Sequence, residues 1–320
     1  MRNDPAPSPG AIAATQPSEG RGRPRMPLAL REIAAVLQRD RAAQVGLVLI
    51  GLLILLALLA PLLAPHDPLA VDVLQRLQAP SRAHLLGTDQ VGRDQLSRML
   101  YGARISLAVG PIAVALAASV GVILGLVGGY AGGFVDNAIM RVMDALLAFP
   151  GLLLALVIVS TLGPGLMNTL IAFAVGGIPR YARLLRSLAL SVRTREYVVA
   201  ARATGAGSPR IMLRHVLPNS ASPVLIAVTL HVGATIVGIA SLSYLGLGIQ
   251  PPTPEWGAML SGSQTLLFRA PWLLFSPGIA ILVAVVAFNL LGEGLRDALD
   301  PRLRGNAGGR TGGSRRRLGR

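Results

Sequence analysis

The chain has 320 residues, 52% of them hydrophobic and 14% charged, with 37 glycines and a formal net charge of +15; so apolar a composition fits a polytopic membrane protein and not a soluble domain. All 30 basic residues are Arg, which reads first as compositional bias, yet without Lys a Walker-type phosphate loop is excluded, and any nucleotide that drives the protein must be bound by another chain. Cysteine is absent, which excludes disulfides, thiolate metal sites and cysteine nucleophiles.

Residues 1–30, rich in Pro, Ala, Ser, Gly and Arg, read as a disordered tail. Residues 28–43 form an amphipathic lead-in with Arg31, Arg39 and Arg41 near the membrane. The run 45–64 carries no charge and is long enough to cross ~30 Å of hydrocarbon. It gives a first span at about 44–64, too long and too far from Met1 for a cleaved signal peptide. A polar segment follows over 66–102, with Asp67, Asp72, Asp89 and Asp94 among Arg residues.

The second span, about 104–128, contains Gly121 and Gly125, with Gly129 just beyond. This spacing lets helices approach closely, although compositional glycine accounts for any one of them nearly as well. A tight connection over 130–137 leads into 35 uncharged residues, 145–179, interrupted by Gly163-Pro164-Gly165. Two spans sharing that run must borrow from their flanks, so they are placed at about 136–162 and 165–187. Arg141 and Asp144 then fall inside the third span, three residues apart on one helix face. A structural ion pair between them is preferred over a substrate or proton site, because intramembrane charges find partners.

Between Arg180 and Arg214 there are eight Arg and one Glu, an excess that places this loop in the cytoplasm. Within it, Glu196–Thr204 and Pro209–Val216 read as two short helices. Gly205 suits a left-handed helix end, Ser208-Pro209 an N-cap with proline in the first turn, and Leu217-Pro218 a stop. His231 falls near the middle of a fifth span, about 220–248, where a hydrogen-bonded neutral histidine is the plain reading. The Gly/Pro-rich loop after it carries Trp256, which with Trp272 is read as an interfacial anchor. A sixth span at about 270–292 and a basic, disordered tail over 305–320 close the chain. Six spans put both termini on one side, and Arg in both tails and the central loop makes that side cytoplasmic. Because the Arg residues flank apolar runs, the positive charge speaks for membrane topology and against nucleic acid.

The central loop resembles the EAA motif of ATP-binding-cassette importer permeases: Glu-Ala-Ala, three residues, Gly, nine residues, then Ile-x-Leu-Pro. The aligned residues are Val199, Ala200, Ala201, Gly205, Leu217 and Pro218, with Val199 where the family has Glu and His215 where it has Ile. The segments His84–Ser106, Tyr130–Pro150, Ser243–Leu260 and Leu290–Arg304 are similar to the peptide and nickel importer permeases of the dipeptide-permease C type. The resemblance implies an all-α, six-span, type I importer permease in a bacterial inner membrane, its permease domain covering 31–304. It also implies a subunit with no enzymatic activity and no cofactor. Its implied partners are a second permease, two cytoplasmic ATPase subunits, an extracytoplasmic binding protein and the surrounding lipid. Residues 196–216 would be the coupling helices seated on an ATPase, with Glu196, Ala200, Ala201, Gly205, Arg214, Leu217 and Pro218 carrying the contact. Glu196, one turn before Val199, would substitute for the missing acid; a solvated acid favourable to the helix dipole explains it equally well.

Two rival classes remain. A secondary transporter needs ionisable groups near mid-membrane, and only Arg141, Asp144 and His231 qualify. An intramembrane enzyme needs a catalytic motif, and neither His-Glu-x-x-His nor Gly-x-Ser-x-Gly occurs. Peptides lead nickel complexes and other small solutes as cargo, because no His/Asp cluster has metal-ligand spacing along the sequence.

Overall fold

The computed structural model describes residues 40–299; the readings of the two tails and most of the lead-in lie outside them. Helix dominates, and the described residues contain no strand, only an isolated bridge between Thr88 and Asp94. The helices are α1 (Arg41–Leu58), α2 (Ala60–Leu63), α3 (Gln95–Ala131), α4 (Gly133–Leu147), α5 (Gly151–Leu162), α6 (Leu166–Arg193), α7 (Glu196–Ala203), α8 (Ser208–Ile211), α9 (Leu217–Tyr244), α10 (Trp256–Leu260) and α11 (Trp272–Leu299).

Arg41–Leu58, Gln95–Ala131, Ser208–Tyr244 and Trp272–Asp297 are long and apolar enough to cross a membrane. Four of the six expected spans are therefore met by length and composition. The third is broken: α4 and α5 meet at 89° across Ala148–Pro150, and together they make a fifth crossing only if the bent pair is one span. The physical reason lies in Pro150, which cannot continue a helix, followed by Gly151. The expected fourth span falls on α6, whose C-terminal half carries Arg180, Arg183, Arg186 and Arg193, too much charge for it to join that set.

The molecule is organised on α3 and α6, which lie against each other along most of their length. The glycine stripe makes this approach possible. A Cβ at Gly121 would lie 2.6 Å from the carbonyl oxygen of Ile178, and one at Gly129 would lie 2.8 Å from that of Arg186. A Cβ at Gly125 would meet the backbone of Ala182. Small residues thus replace side-chain interdigitation with backbone contact, as helix association in lipid favours. At 37 residues α3 is about 55 Å long, so it joins two distant ends of the molecule.

At its N-terminal end a polar cap forms from residues 64–94, α10 and the start of α11. Asp94 is the N-cap of α3, accepting from the Ser97 N–H at 2.8 Å. Glu255, 1% exposed, caps α10 by accepting from Gly257 and Ala258 N–H and also takes the Ser106 hydroxyl. Trp256 is 2% exposed and donates Nε1–H to the Met99 carbonyl. It is a core residue of the cap, correcting its reading as a lipid-interface anchor; Trp272 donates likewise to the Thr88 carbonyl.

Candidate functional site

The polar loop after α6 sits at the other end of α3. Arg193 Nη1 donates to the Tyr130 carbonyl, and Arg202 lies 5.8 Å from the centre of the Tyr130 ring. Helix α7 ends in a Schellman arrangement: Ala206 N–H bonds the Ala201 carbonyl and Gly205 N–H that of Arg202, with Gly205 at φ +86°. The turn read from the sequence is therefore present. Its second half differs in two ways. The N-cap of α8 is Gly207, not Ser208, and no side chain caps it.

The larger difference is at Leu217-Pro218, read as a stop. Helix continues through it: Met212–Val216 forms a π turn that passes into α9 without a loop. Leu217 N–H reaches back five residues to Met212 O. Side chains bond the carbonyls just before the proline, Asn219 Nδ2 to His215 O at 2.6 Å and Ser220 Oγ to Val216 O at 2.9 Å. Neither is the carbonyl opposite the missing Pro218 N–H, which belongs to Arg214 or Leu213; Pro218 is tolerated because it falls in the first turn of α9, directly after the π turn.

The loop has two faces. Val198, Ile211 and Val216 are fully buried against Leu185, Ala189 and Val192 of α6 and Leu126 of α3. Turned outward are Tyr197, Val199 and Leu213, at 43, 55 and 61% exposure. Glu196, Ala200, Gly205, Arg214 and Pro218 are also exposed, while Ala201 and Leu217 are half-buried. The inward face alternates with the outward one as a short amphipathic helix requires; the exposed apolar trio was not singled out in the sequence, although its spacing on either side of Val198 was there to be read.

The expected pairing of Arg141 with Asp144 is not the one formed. Asp144 accepts from Arg183 Nη2 at 2.6 Å, and Asp136 takes a two-pronged contact from Arg186, Nε at 2.5 Å and Nη2 at 2.6 Å. Both bridges tie α4 to α6. Helical spacing alone favours the Arg141 partner; α6 running alongside offers a fork of guanidinium groups with better geometry. The Asp144 bridge is more than half exposed on both sides, whereas the Asp136 side chain is only 10% exposed.

Mid-helix, His231 Nδ1 and Tyr181 OH are 3.0 Å apart, so the histidine is hydrogen-bonded as expected. It borders a cavity of about 350 Å³ between α5, α6 and α9, lined by Phe173, Gly176, Gly177, Thr235 and Gly238 among others.

Comparison with known proteins identifies this helical core, with an amphipathic element at one end, as a transport subunit. Residues 121–305 match the family described as binding-protein-dependent transport system inner membrane component, and 29–80 match the N-terminal transmembrane domain of oligopeptide transport permease C. The chain belongs to that family of importer permeases, which are membrane subunits and not themselves ATPases. The dipeptide transport system permease protein DppC of Alkalihalophilus pseudofirmus is 46% identical over 86% of this chain and 90% of its own length. The di/tripeptide permease protein DppC of Pseudomonas aeruginosa is 43% identical over 88% and 95%. The glutathione transport system permease protein GsiD of Pectobacterium atrosepticum is 45% identical over 84% and 89%.

Proposed function

We propose that the chain forms half of the translocation path of an inner-membrane importer of di- and oligopeptides. It pairs with a second, similar permease, two ATPase subunits bind the cytoplasmic face, and an extracytoplasmic protein delivers the peptide. In this reading α6 and the bent α4–α5 pair complete six crossings, and both termini are cytoplasmic. The names of the relatives, dipeptide, di/tripeptide and glutathione permeases, support a short peptide over nickel or another small solute.

The observation that carries the coupling role is the two-faced loop, anchored inward by Val198, Ile211 and Val216 and presenting Tyr197, Val199 and Leu213 outward. Exposed apolar groups flanked by Arg202, Arg210 and Arg214 are what a cleft on a partner protein covers. Closure of the ATPase pair on ATP would move this loop and, through it, the helices around the His231 cavity, a two-state change driven by differential binding. Glu196 and Val199 are both exposed at one end of α7, consistent with Glu196 replacing the family's acid.

The test is ATP hydrolysis and peptide uptake by the complete complex in proteoliposomes. Tyr197→Ala combined with Leu213→Ala should cut peptide-stimulated hydrolysis at least about tenfold while the permease pair still assembles. Unchanged hydrolysis removes the coupling role, and uptake that persists without ATP under an ion gradient favours a secondary transporter. If Glu196→Ala leaves coupled hydrolysis untouched, the substitute acid is dropped.

A further inference from the structure

Three chain-distant residues converge in the cap: His66, just after α2, His84, in the turn before α3, and Asp94, the N-cap of α3. One ligand atom from each lies within 4.8 Å of the others. Asp94 Oδ1 is 2.8 Å from His84 Nδ1 and 3.6 Å from His66 Nδ1. The two imidazole rings stack with centres 4.7 Å apart and planes at 33°.

The hydrogen-bond pattern fixes which nitrogen of His84 carries a hydrogen. Gln75 Nε2 donates to Asp72 Oδ2 at 2.8 Å, which turns Gln75 Oε1 toward His84 Nε2, also 2.8 Å away. Oε1 accepts only, so His84 Nε2 donates. A neutral imidazole then presents a lone pair at Nδ1, and what it faces at 2.8 Å is a carboxylate oxygen. Two lone pairs at that distance need a positive charge between them. Asp94 Oδ2 is already taken by the Ser97 N–H and hydroxyl, both at 2.8 Å, so Oδ1 is the oxygen that meets the charge.

A proton or a metal ion can supply it. His66 is held beside the pair by its backbone N–H, which donates to Ser97 Oγ at 3.1 Å, and by its stacking on His84; its Nδ1, at 3.6 Å from Oδ1, is too far for a hydrogen bond, so a proton on His84 makes no use of it. A metal uses all three atoms. Tetrahedral bonds of about 2.0–2.1 Å put ligand atoms about 3.3 Å apart; the two Asp94 edges, 2.8 and 3.6 Å, bracket that value, and the edge between the two histidines, within 4.8 Å, would close by rotation of the exposed His66 ring. The Nε2–H to Gln75 contact is the outer hydrogen bond that a metal-bound histidine characteristically makes. The side chains of His84 and Asp94 are 9% and 1% exposed while that of His66 is 43% exposed, so entry and a fourth, open position lie on the His66 side.

We propose that His66, His84 and Asp94 form a site for one divalent transition-metal cation of the zinc class, which clips the segment after α2 to the start of α3. Two imidazoles and one carboxylate, with no thiolate and no second acid, suit zinc better than calcium or magnesium. Bound metal would stabilise the cap independently of the ATPase end, so the inference stands apart from the transport reading.

The test uses the full chain in detergent, purified without a polyhistidine tag, stripped with a chelator and titrated with Zn²⁺ against a chromophoric competitor. One equivalent per chain is expected, with a rise in melting temperature. His66→Ala, at the exposed edge, should weaken binding at least about tenfold while melting like the parent when zinc is absent, and Gln75→Leu should weaken binding by about 10–100-fold. No uptake of Zn²⁺ above that of the His66→Ala, His84→Gln double variant overturns the proposal and leaves a protonated His84. One equivalent that both single variants bind unchanged overturns it equally, since the ion then sits elsewhere.

Discussion

The two ends of α3 solve opposite problems. The cap end buries polar side chains, His84, Asp94, Gln95, Arg98 and Glu255 among them; no buried side-chain polar atom among the described residues lacks a partner, and between His84 and Asp94 a positive charge completes the contact. The loop end buries apolar side chains inward and leaves others, Tyr197, Val199 and Leu213, uncovered. Buried polar networks with every member satisfied fix a single geometry, whereas apolar packing leaves the choice of outer partner to exposed groups. The interior of the cap is thus held by polar bonds and that of the loop by apolar contact, while both leave apolar side chains uncovered, Val73, Leu74 and Leu85 at the cap and the Tyr197 trio at the loop.

Substitutions that separate stability from coupling sharpen this contrast. The largest loss of stability is expected from Glu255→Ala, which strands the Gly257 and Ala258 N–H groups and the Ser106 hydroxyl in a buried site, at about 3 kcal/mol. Denaturant unfolding of the purified subunit reads it, and a loss below about 1 kcal/mol would mean that water replaces the carboxylate and that polar bonds do not hold the cap. Next comes Asp136→Ala at about 2 kcal/mol, because the partly buried Arg186 loses a two-pronged partner. Asp144→Ala, on the neighbouring but exposed bridge, should cost under about 1 kcal/mol; equal losses at the two positions would show that depth does not grade these bridges.

Gly205→Ala should cost about 1–2 kcal/mol, as a left-handed position with open space around it penalises only the backbone. Leu213→Ala should cost least, within about 0.5 kcal/mol, while lowering peptide-stimulated hydrolysis by the complete complex. Were Leu213→Ala to unfold the isolated subunit instead, the loop would be a structural element like the cap and the contrast would fail.

Much of this was legible in the sequence where one periodicity dominates. Uncharged runs located α1, α3, α9 and α11 because hydrocarbon thickness demands length and apolarity of a crossing helix. The Gly121, Gly125, Gly129 spacing pointed to a close helix approach without naming α6 as the partner, and Gly205 to its left-handed turn. Features that depend on a second element were not legible. Asp144 chose Arg183 across the helix interface over Arg141 on its own helix, and the run through Pro218 came with a π turn directly before it. The convergence of His66, His84 and Asp94 escaped for the same reason: intervals of 18 and 10 residues match no local ligand spacing, and only the fold of the cap closes them.

The π turn at Met212–Val216 has a geometric consequence for the whole loop. A π turn holds one residue more than the α-helix it interrupts, and each residue in an α-helix advances the chain by about 100°. The extra residue is absorbed by the wider turn, so about five residues there turn the chain as far as four do in an α-helix. Within the 37-residue run Ser208–Tyr244, deleting one residue from the π turn would tighten it to α-helix and leave Leu213 in nearly the same phase as His231. Deleting one residue of α9 between the turn and His231 would instead swing Leu213 by about 100° relative to the cavity, so the direction in which the loop faces is set by the residue count beyond the turn.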